Sequence, residues 1–172
     1  NQLEDEPPVA IFVMGRNKWR FEKQWPPKKT KLRELYLHSG GRANSLNGNG
    51  TLSRKQPADE PCDIFIYDPA NPVLSLGGHS CCNPSVNVMG PVDQRGQEGR
   101  NDVLIYDSEP LDKDLEVCGP VELIVYAAST ARDTDFTAKL VDTYTDGRAI
   151  NILEGIIKAS RRESISAPSP IE

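Results

Sequence analysis

The sequence predicts an all-β chain, and three observations carry that prediction. The apolar runs are short, rich in β-branched residues and bounded by Pro, Gly, Asn or Asp, as strands are. Among 172 residues, 14 Pro and 13 Gly give a turn-rich composition that disfavours a helical bundle. Finally, Asp135–Asp142 alternates Phe136, Ala138 and Leu140 with Asp135, Thr137, Lys139 and Val141, the period of a strand with one buried face.

Taken in order, the expected strands are Val9–Met14, Leu32–Leu37, Asp63–Tyr67, Val103–Tyr106, Leu115–Ala127, Thr134–Tyr144 and Arg148–Lys158. Gly119-Pro120 splits the fifth, since proline donates no ladder hydrogen bond and belongs at an edge, a bulge or a strand start. The last two form a hairpin, because Asp146-Gly147 tolerates the positive φ of a tight turn. Long connections over 15–30, 39–50 and 69–102 are unusual in a compact domain unless they are used or packed. At least one sheet edge is expected to need a partner.

Charge and targeting signals exclude several functions. Twenty Lys+Arg against 25 Asp+Glu leave a net charge of −5, so phosphate neutralisation is not the main business and no nucleic-acid partner is expected. No apolar run reaches bilayer-spanning length and the first residues form no signal segment, so no membrane partner is expected. The expected compartment is the cytoplasm, with secretion left open. Cys62, Cys81, Cys82 and Cys118 lack CxxC spacing and read as reduced thiols.

Catalytic chemistry is mostly missing. No G-x-S-x-G nucleophile turn occurs, and any triad must draw on His38 or His79. His38 sits at a strand end, where a structural role is the stronger reading. His79 lies beside Cys81 and Cys82, but residues this close in sequence rarely align nucleophile, base and orienter. Asp142–Gly147 resembles the start of a calcium loop, yet Leu153 stands where a glutamate is required. Asp133 and Asp135 read as turn and cap before they read as cation ligands. Neither a metal nor another cofactor is expected. The basic stretch from Arg16 to Arg33, with Trp19, Phe21 and Trp25 interleaved, fits a loop anchored on a neighbouring domain better than a single-strand binding site. Asn49-Gly50-Thr51 is a formal glycosylation sequon within what reads as a tight turn.

Six ordered phrases then point to a family: Val13–Arg20, Tyr36–Ser45, Tyr67–Val73, Gly90–Arg95, Asp102–Tyr106 and Asp133–Asp142. Together they closely resemble the C-terminal domain of the CocE/NonD hydrolases, the family of cocaine-esterase, X-Pro dipeptidyl-peptidase and α-amino-acid ester hydrolase enzymes. The resemblance implies a jelly-roll β-sandwich of the galactose-binding-domain-like type over residues 8–163, without its last strands. Residues 1–7 would be a linker from an upstream domain and 164–172 a linker-like tail.

The resemblance also implies that the Ser-Asp-His triad belongs to an upstream α/β-hydrolase domain of the same polypeptide, so no catalytic residue carries over to this chain. What does carry over is a cleft-lining role for His79, Ser80, Cys81 and Cys82, the segment that follows Leu76-Gly77-Gly78. Trp19 and Trp25 would dock onto the catalytic domain, and a small ester or peptide would bind at the junction. The expected function is therefore an accessory β-sandwich of a serine ester or peptide hydrolase. A carbohydrate-binding jelly-roll module is the alternative, distinguished by an aromatic platform that stays exposed. Homo-oligomerisation is left open.

Overall fold

The computed structural model describes residues 6–79, 83, 85 and 88–171. These form seven strands: β1 (Val9–Val13), β2 (Lys18–Glu22), β3 (Tyr36–His38), β4 (Thr51–Ser53), β5 (Asp107–Ser108), β6 (Asp135–Thr143) and β7 (Ala149–Lys158). A four-residue helix, α1 (Arg95–Glu98), and a 3-10 turn at Ala159–Arg161 complete the elements. The architecture is all-β, in keeping with a sandwich domain. Two compact units divide the chain: one comprises Asn1–Glu34 and Glu109–Leu123, the other Leu35–Ser108 and Ile124–Glu172.

In the first unit β1 and β2 pair antiparallel, with Phe12 opposite Trp19 and Val13 opposite Lys18. The turn between them closes because Gly15 and Asn17 take positive φ, values of 79° and 53° that these residue types tolerate. Period-2 alternation then sorts the faces. Phe12, Trp19 and Phe21 point to one exposed side, while Val9, Ile11, Val13, Arg20 and Glu22 share the half-buried side. The later stretch is tied to this hairpin by charge. Arg20 pairs with Glu116 at 2.5 Å and Glu22 at 3.0 Å, and Thr30 Oγ1 donates to the carbonyl of Cys118 at 3.1 Å.

The second unit holds a three-stranded sheet in the order β3-β4-β5 and the β6–β7 hairpin. β3 and β4 run antiparallel and β5 joins β4 in parallel. The loop between β3 and β4 is built by two polar side chains. Asn49 Oδ1 accepts from Ser39 Oγ and the amides of Gly40 and Arg42. Asp63 accepts from Ser39 Oγ at 2.6 Å, the Ala43 amide at 2.7 Å and Tyr106 Oη at 2.7 Å.

β6 and β7 form the hairpin that the alternation and the Asp-Gly turn predict. Gly147 adopts φ 84°, its amide donates to Tyr144 O, and Asp146 accepts from the Arg148 amide and guanidinium. The register shifts between Leu140 and Val141, where Leu153 and Asn151 face consecutive residues of β6 and Ile152 is left over. This is a bulge, which resets the in-out alternation of β7.

Several expected strands are absent as paired elements. Leu32–Leu37 contracts to Tyr36–His38, and Val103–Tyr106 gives way to an isolated bridge between Asn44 and Leu104 followed by β5. Asp63–Tyr67 and Leu115–Ala127 find no ladder partner among the described residues. Conversely, the connection expected over 15–30 contains β2, and that expected over 39–50 ends against β4. The buried set is small: Ala43, Ala149 and Ala159 on the apolar side, and Ser45, Gln94, Asn151 and Ser160 on the polar side. At the tail, the amides of Ser169 and Ile171 donate to Ser160 O and Arg132 O.

Candidate functional site

The segment expected to line a cleft begins where the β6–β7 hairpin meets residues 76–94. Gly77 and Gly78 adopt φ 73° and 68°, conformations that carry strain for any other residue. Space imposes the same choice. A Cβ at Gly77 would sit 2.6 Å from the Gly90 carbonyl oxygen, and one at Gly78 would fall 2.0 Å from Glu154 Oε1. Gly78 and Gly90 exchange both backbone hydrogen bonds, at 2.8 and 3.0 Å.

Three side chains from outside residues 76–79 hold this turn, and a fourth, Asn151, holds the facing stretch at Gly90 and Val92. The His79 amide donates to Glu154 Oε1 at 2.7 Å, and the His79 ring nitrogen Nδ1 lies 3.4 Å from the same carboxylate. Lys139 Nζ donates to the Leu76 carbonyl at 3.0 Å and to Gln94 Oε1 at 2.8 Å, and stands 3.6 Å from Glu154. Gln94 Nε2 is shared among Leu76 O, Val92 O and Asn151 Oδ1, all within 3.1 Å. Asn151 Oδ1 also accepts the Val92 amide at 2.7 Å. Gln94 and Asn151 are each 3% exposed, so this is a buried polar network whose members satisfy one another.

The β7 bulge makes the arrangement possible. Asn151 and Glu154 are three residues apart, which in an unbroken strand would send them to opposite faces. With Ile152 inserted, both reach the 76–94 segment. The hydrogen bond from the His79 amide, followed by the nearby Lys139 charge, holds the Glu154 carboxyl below its ordinary range against the opposing effect of burial.

Of the residues singled out in the sequence, His79 stands at the end of this turn with its side chain 82% exposed. Ser80, Cys81 and Cys82 lie outside the described residues. Trp19 and Trp25 are exposed in the first unit, at 64% and 55%, and Trp19 packs edge-on against Phe12 with ring centroids 5.4 Å apart. Cys62 and Cys118 are free thiols. Gln94, Lys139, Asn151 and Glu154 were not foreseen. Polar side chains on a strand signal a need for partners, but the bulge that co-orients Asn151 and Glu154 leaves no mark in the alternation.

The remaining polar clusters are spent on architecture. His38 Nδ1 meets Glu60 at 2.8 Å while Nε2 faces the Lys55 carbonyl at 2.8 Å, and the Ser39 amide donates to the other Glu60 oxygen at 3.0 Å. Asp133 caps the Ser160 amide and hydroxyl at 2.9 and 2.8 Å and pairs with Lys158. A groove of about 620 Å³ is lined in part by Asn44, Phe65, Asn71, Arg100 and Asp102. There Arg100 forms a two-pronged pair with Asp102, both contacts at 2.7 Å, and donates to the Asn71 carbonyl, so its fork is committed to protein partners. Among the described residues no group of three His, Cys, Asp or Glu side chains is placed to hold a metal, and no helix is long and apolar enough to cross a membrane.

The chain is 45% identical over 170 residues to the cocaine esterase of Rhodococcus sp. strain MB1 Bresler, a match that covers 99% of this chain and 29% of that protein. It is 30% identical over 172 residues to proteins named as serine esterases in Mycobacterium bovis and Mycobacterium tuberculosis, covering 98% of this chain and 25% of each. The chain thus spans between a quarter and a third of the length of these curated relatives. The family described as the X-Pro dipeptidyl-peptidase C-terminal non-catalytic domain matches residues 1–172 from end to end. On that match and those identities, the chain belongs to the X-Pro dipeptidyl-peptidase C-terminal non-catalytic domain family.

Proposed function

We propose that this domain is the accessory β-sandwich of a serine ester or peptide hydrolase. It shapes the substrate cleft with the segment His79–Cys82 and stabilises the α/β-hydrolase domain of the same polypeptide. The observation that carries the reading is the continuous 45% identity to an esterase of which this chain covers only 29%. Membership of a family described as non-catalytic supports the reading that bond cleavage belongs to polypeptide outside this domain. There an acylated serine and its oxyanion donors would do the chemistry.

On this reading the substrate is a small ester or an X-Pro peptide held at the domain junction, and specificity depends on side chains from both walls. Trp19 and Trp25 serve as the docking anchors. Large, rigid aromatic side chains are common at such contacts because they bury much area for little lost rotamer freedom.

The test uses the full-length hydrolase that carries this domain. Replacing His79, Ser80, Cys81 and Cys82 together by Ala should change KM for nitrophenyl esters graded by acyl size, with the serine still phosphonylated by a fluorophosphonate probe as fluoride leaves. Unchanged KM across the series would remove the cleft-lining role. Acrylamide quenching separates docking from sugar binding. Docked tryptophans are shielded in the full-length enzyme, whereas a carbohydrate module would leave Trp19 open and respond to glycan titration.

A further inference from the structure

We infer that Glu154, together with Lys139 and Gln94, is a positioning group for the pocket wall: the β6–β7 hairpin fixes the backbone path of residues 76–79 and so holds His79, the first residue of the cleft-lining segment, at one main-chain position. This rests on the cleft-lining reading of His79–Cys82 given above.

The geometry is that of a clamp on the main chain. Within four consecutive residues, the Leu76 carbonyl is held by Lys139 Nζ and Gln94 Nε2, both at 3.0 Å. Gly78 is bridged in both directions to Gly90, and the His79 amide is held by Glu154 Oε1. The carboxylate occupies the volume that a side chain at residue 78 would take. With two neighbouring glycines at positive φ, the turn has few other paths that keep all these bonds.

Packing does not explain the investment. The His79 side chain is 82% exposed, so holding its amide gains little apolar burial there. Fixing it nevertheless commits two amide side chains at 3% exposure and brings a lysine and a glutamate to 25% and 19%. Burying polar and charged groups costs stability unless each is partnered. The network directs that cost to two short, mutually bonded stretches of main chain, 76–79 and 90–92, which is what placement of a pocket wall requires, since small displacements of substrate-contacting groups have large kinetic effects.

The test measures kcat and KM of the full-length hydrolase on nitrophenyl esters, well below the unfolding midpoint of each variant. Glu154→Ala should raise KM about 5- to 20-fold while kcat stays within about 3-fold, the signature of lost binding geometry and not of lost chemistry. Glu154→Gln keeps an oxygen to accept the His79 amide and should bring KM back to within about 3-fold of the parent. Lys139→Met releases the Leu76 carbonyl and should raise KM in the same direction; with Glu154→Gln it carries the test if the alanine variant does not fold. Asp146→Asn, at the hairpin tip, should leave both constants unchanged. A Glu154→Ala enzyme with KM within 2-fold of the parent overturns the inference, as does a glutamine variant that restores nothing. If the quadruple alanine variant at 79–82 raises KM and Glu154→Ala does not, the inference alone fails. If neither moves KM, the cleft-lining reading fails and the inference falls with it.

Discussion

His38 shows what a single side chain contributes and when. Its Nδ1 faces the Glu60 carboxylate and its Nε2 faces the Lys55 carbonyl beside the Ser53 hydroxyl, and both oxygen acceptors are met when both nitrogens carry protons. The Glu60 hydrogen bond, reinforced by the Lys55 carbonyl, raises the His38 pKa above its ordinary 6.5, against the opposing effects of burial and the Lys55 charge. The His38 hydrogen bond in turn lowers Glu60 below its ordinary 4.5. A raised histidine pKa gives stability that is complete below about 6.5 and is lost as pH climbs through the folded-state value. A lowered glutamate pKa gives stability complete above about 4.5 and lost as pH falls through its own folded-state value. Thermal unfolding followed by circular dichroism should therefore show a higher midpoint at pH 6 than at pH 8.5, and His38→Gln should flatten that difference. An unchanged pH slope in the variant would mean that the imidazolium contributes nothing. A second residue-scale expectation concerns Gly78. Alanine there must both strain a φ of 68° and displace the Glu154 carboxylate, at a cost on the order of 1–3 kcal/mol in chemical denaturation. The sequence placed His38 at a strand end in a structural role, and it is there on β3. Its partner could not be read, because Glu60 lies 22 residues away and reaches it only through the folded loop.

Between elements, the β6–β7 hairpin was the most legible feature and β2 the least. Alternation over Asp135–Asp142 and the Asp-Gly pair specified the hairpin locally, so no distant contact was needed to predict it. Lys18–Glu22 reads KWRFE, in which aromatic and charged residues alternate with the same period, yet its basic character favoured a loop. The reverse error occurred at Asp63–Tyr67 and Leu115–Ala127. Their composition is that of strands, but a strand is defined by its neighbour, and none of the described residues supplies the ladder. Gly147 offers a clean measure of the hairpin turn. A Cβ there meets no atom within 4 Å, so Gly147→Ala registers only the strain of φ 84°, about 1–2 kcal/mol. In the other hairpin a double-mutant cycle on Phe12 and Trp19 should return a coupling of about 0.5–1.5 kcal/mol, given their edge-on contact across the strands. A coupling near zero would mean that the rings are adjacent without supporting each other.

For the molecule as a whole, the decisive fact is which side chains are covered. The buried apolar residues among those described are three alanines, while Leu32, Ile66 and Tyr126 stand 82%, 85% and 99% exposed. Apolar surface left wet forgoes about 25 cal/mol per Å² and in large patches marks a contact surface. The isolated chain should accordingly bind an environment-sensitive naphthalene dye and self-associate with rising concentration, while the full-length hydrolase should do neither. Equal dye binding by both would break the link between these side chains and a covering domain. The family was legible from short phrases distributed along the chain, because turn residues and cap residues are fixed by backbone geometry. The polar network under residues 76–79 was not, because it depends on one inserted residue in β7.

The ion pair between Arg20 and Glu116 joins residues 96 positions apart and closes a unit made from two separate stretches of chain. On a ribosome adding about 5–20 residues per second, the first hairpin therefore waits roughly 5–20 s for its second half to be made. Throughout that interval Val9, Ile11 and Val13, on the side from which Arg20 meets Glu116, ride on a nascent two-stranded ribbon, too small to be stable alone. Chaperone capture during synthesis should concentrate on this ribbon and end once Glu116 has emerged.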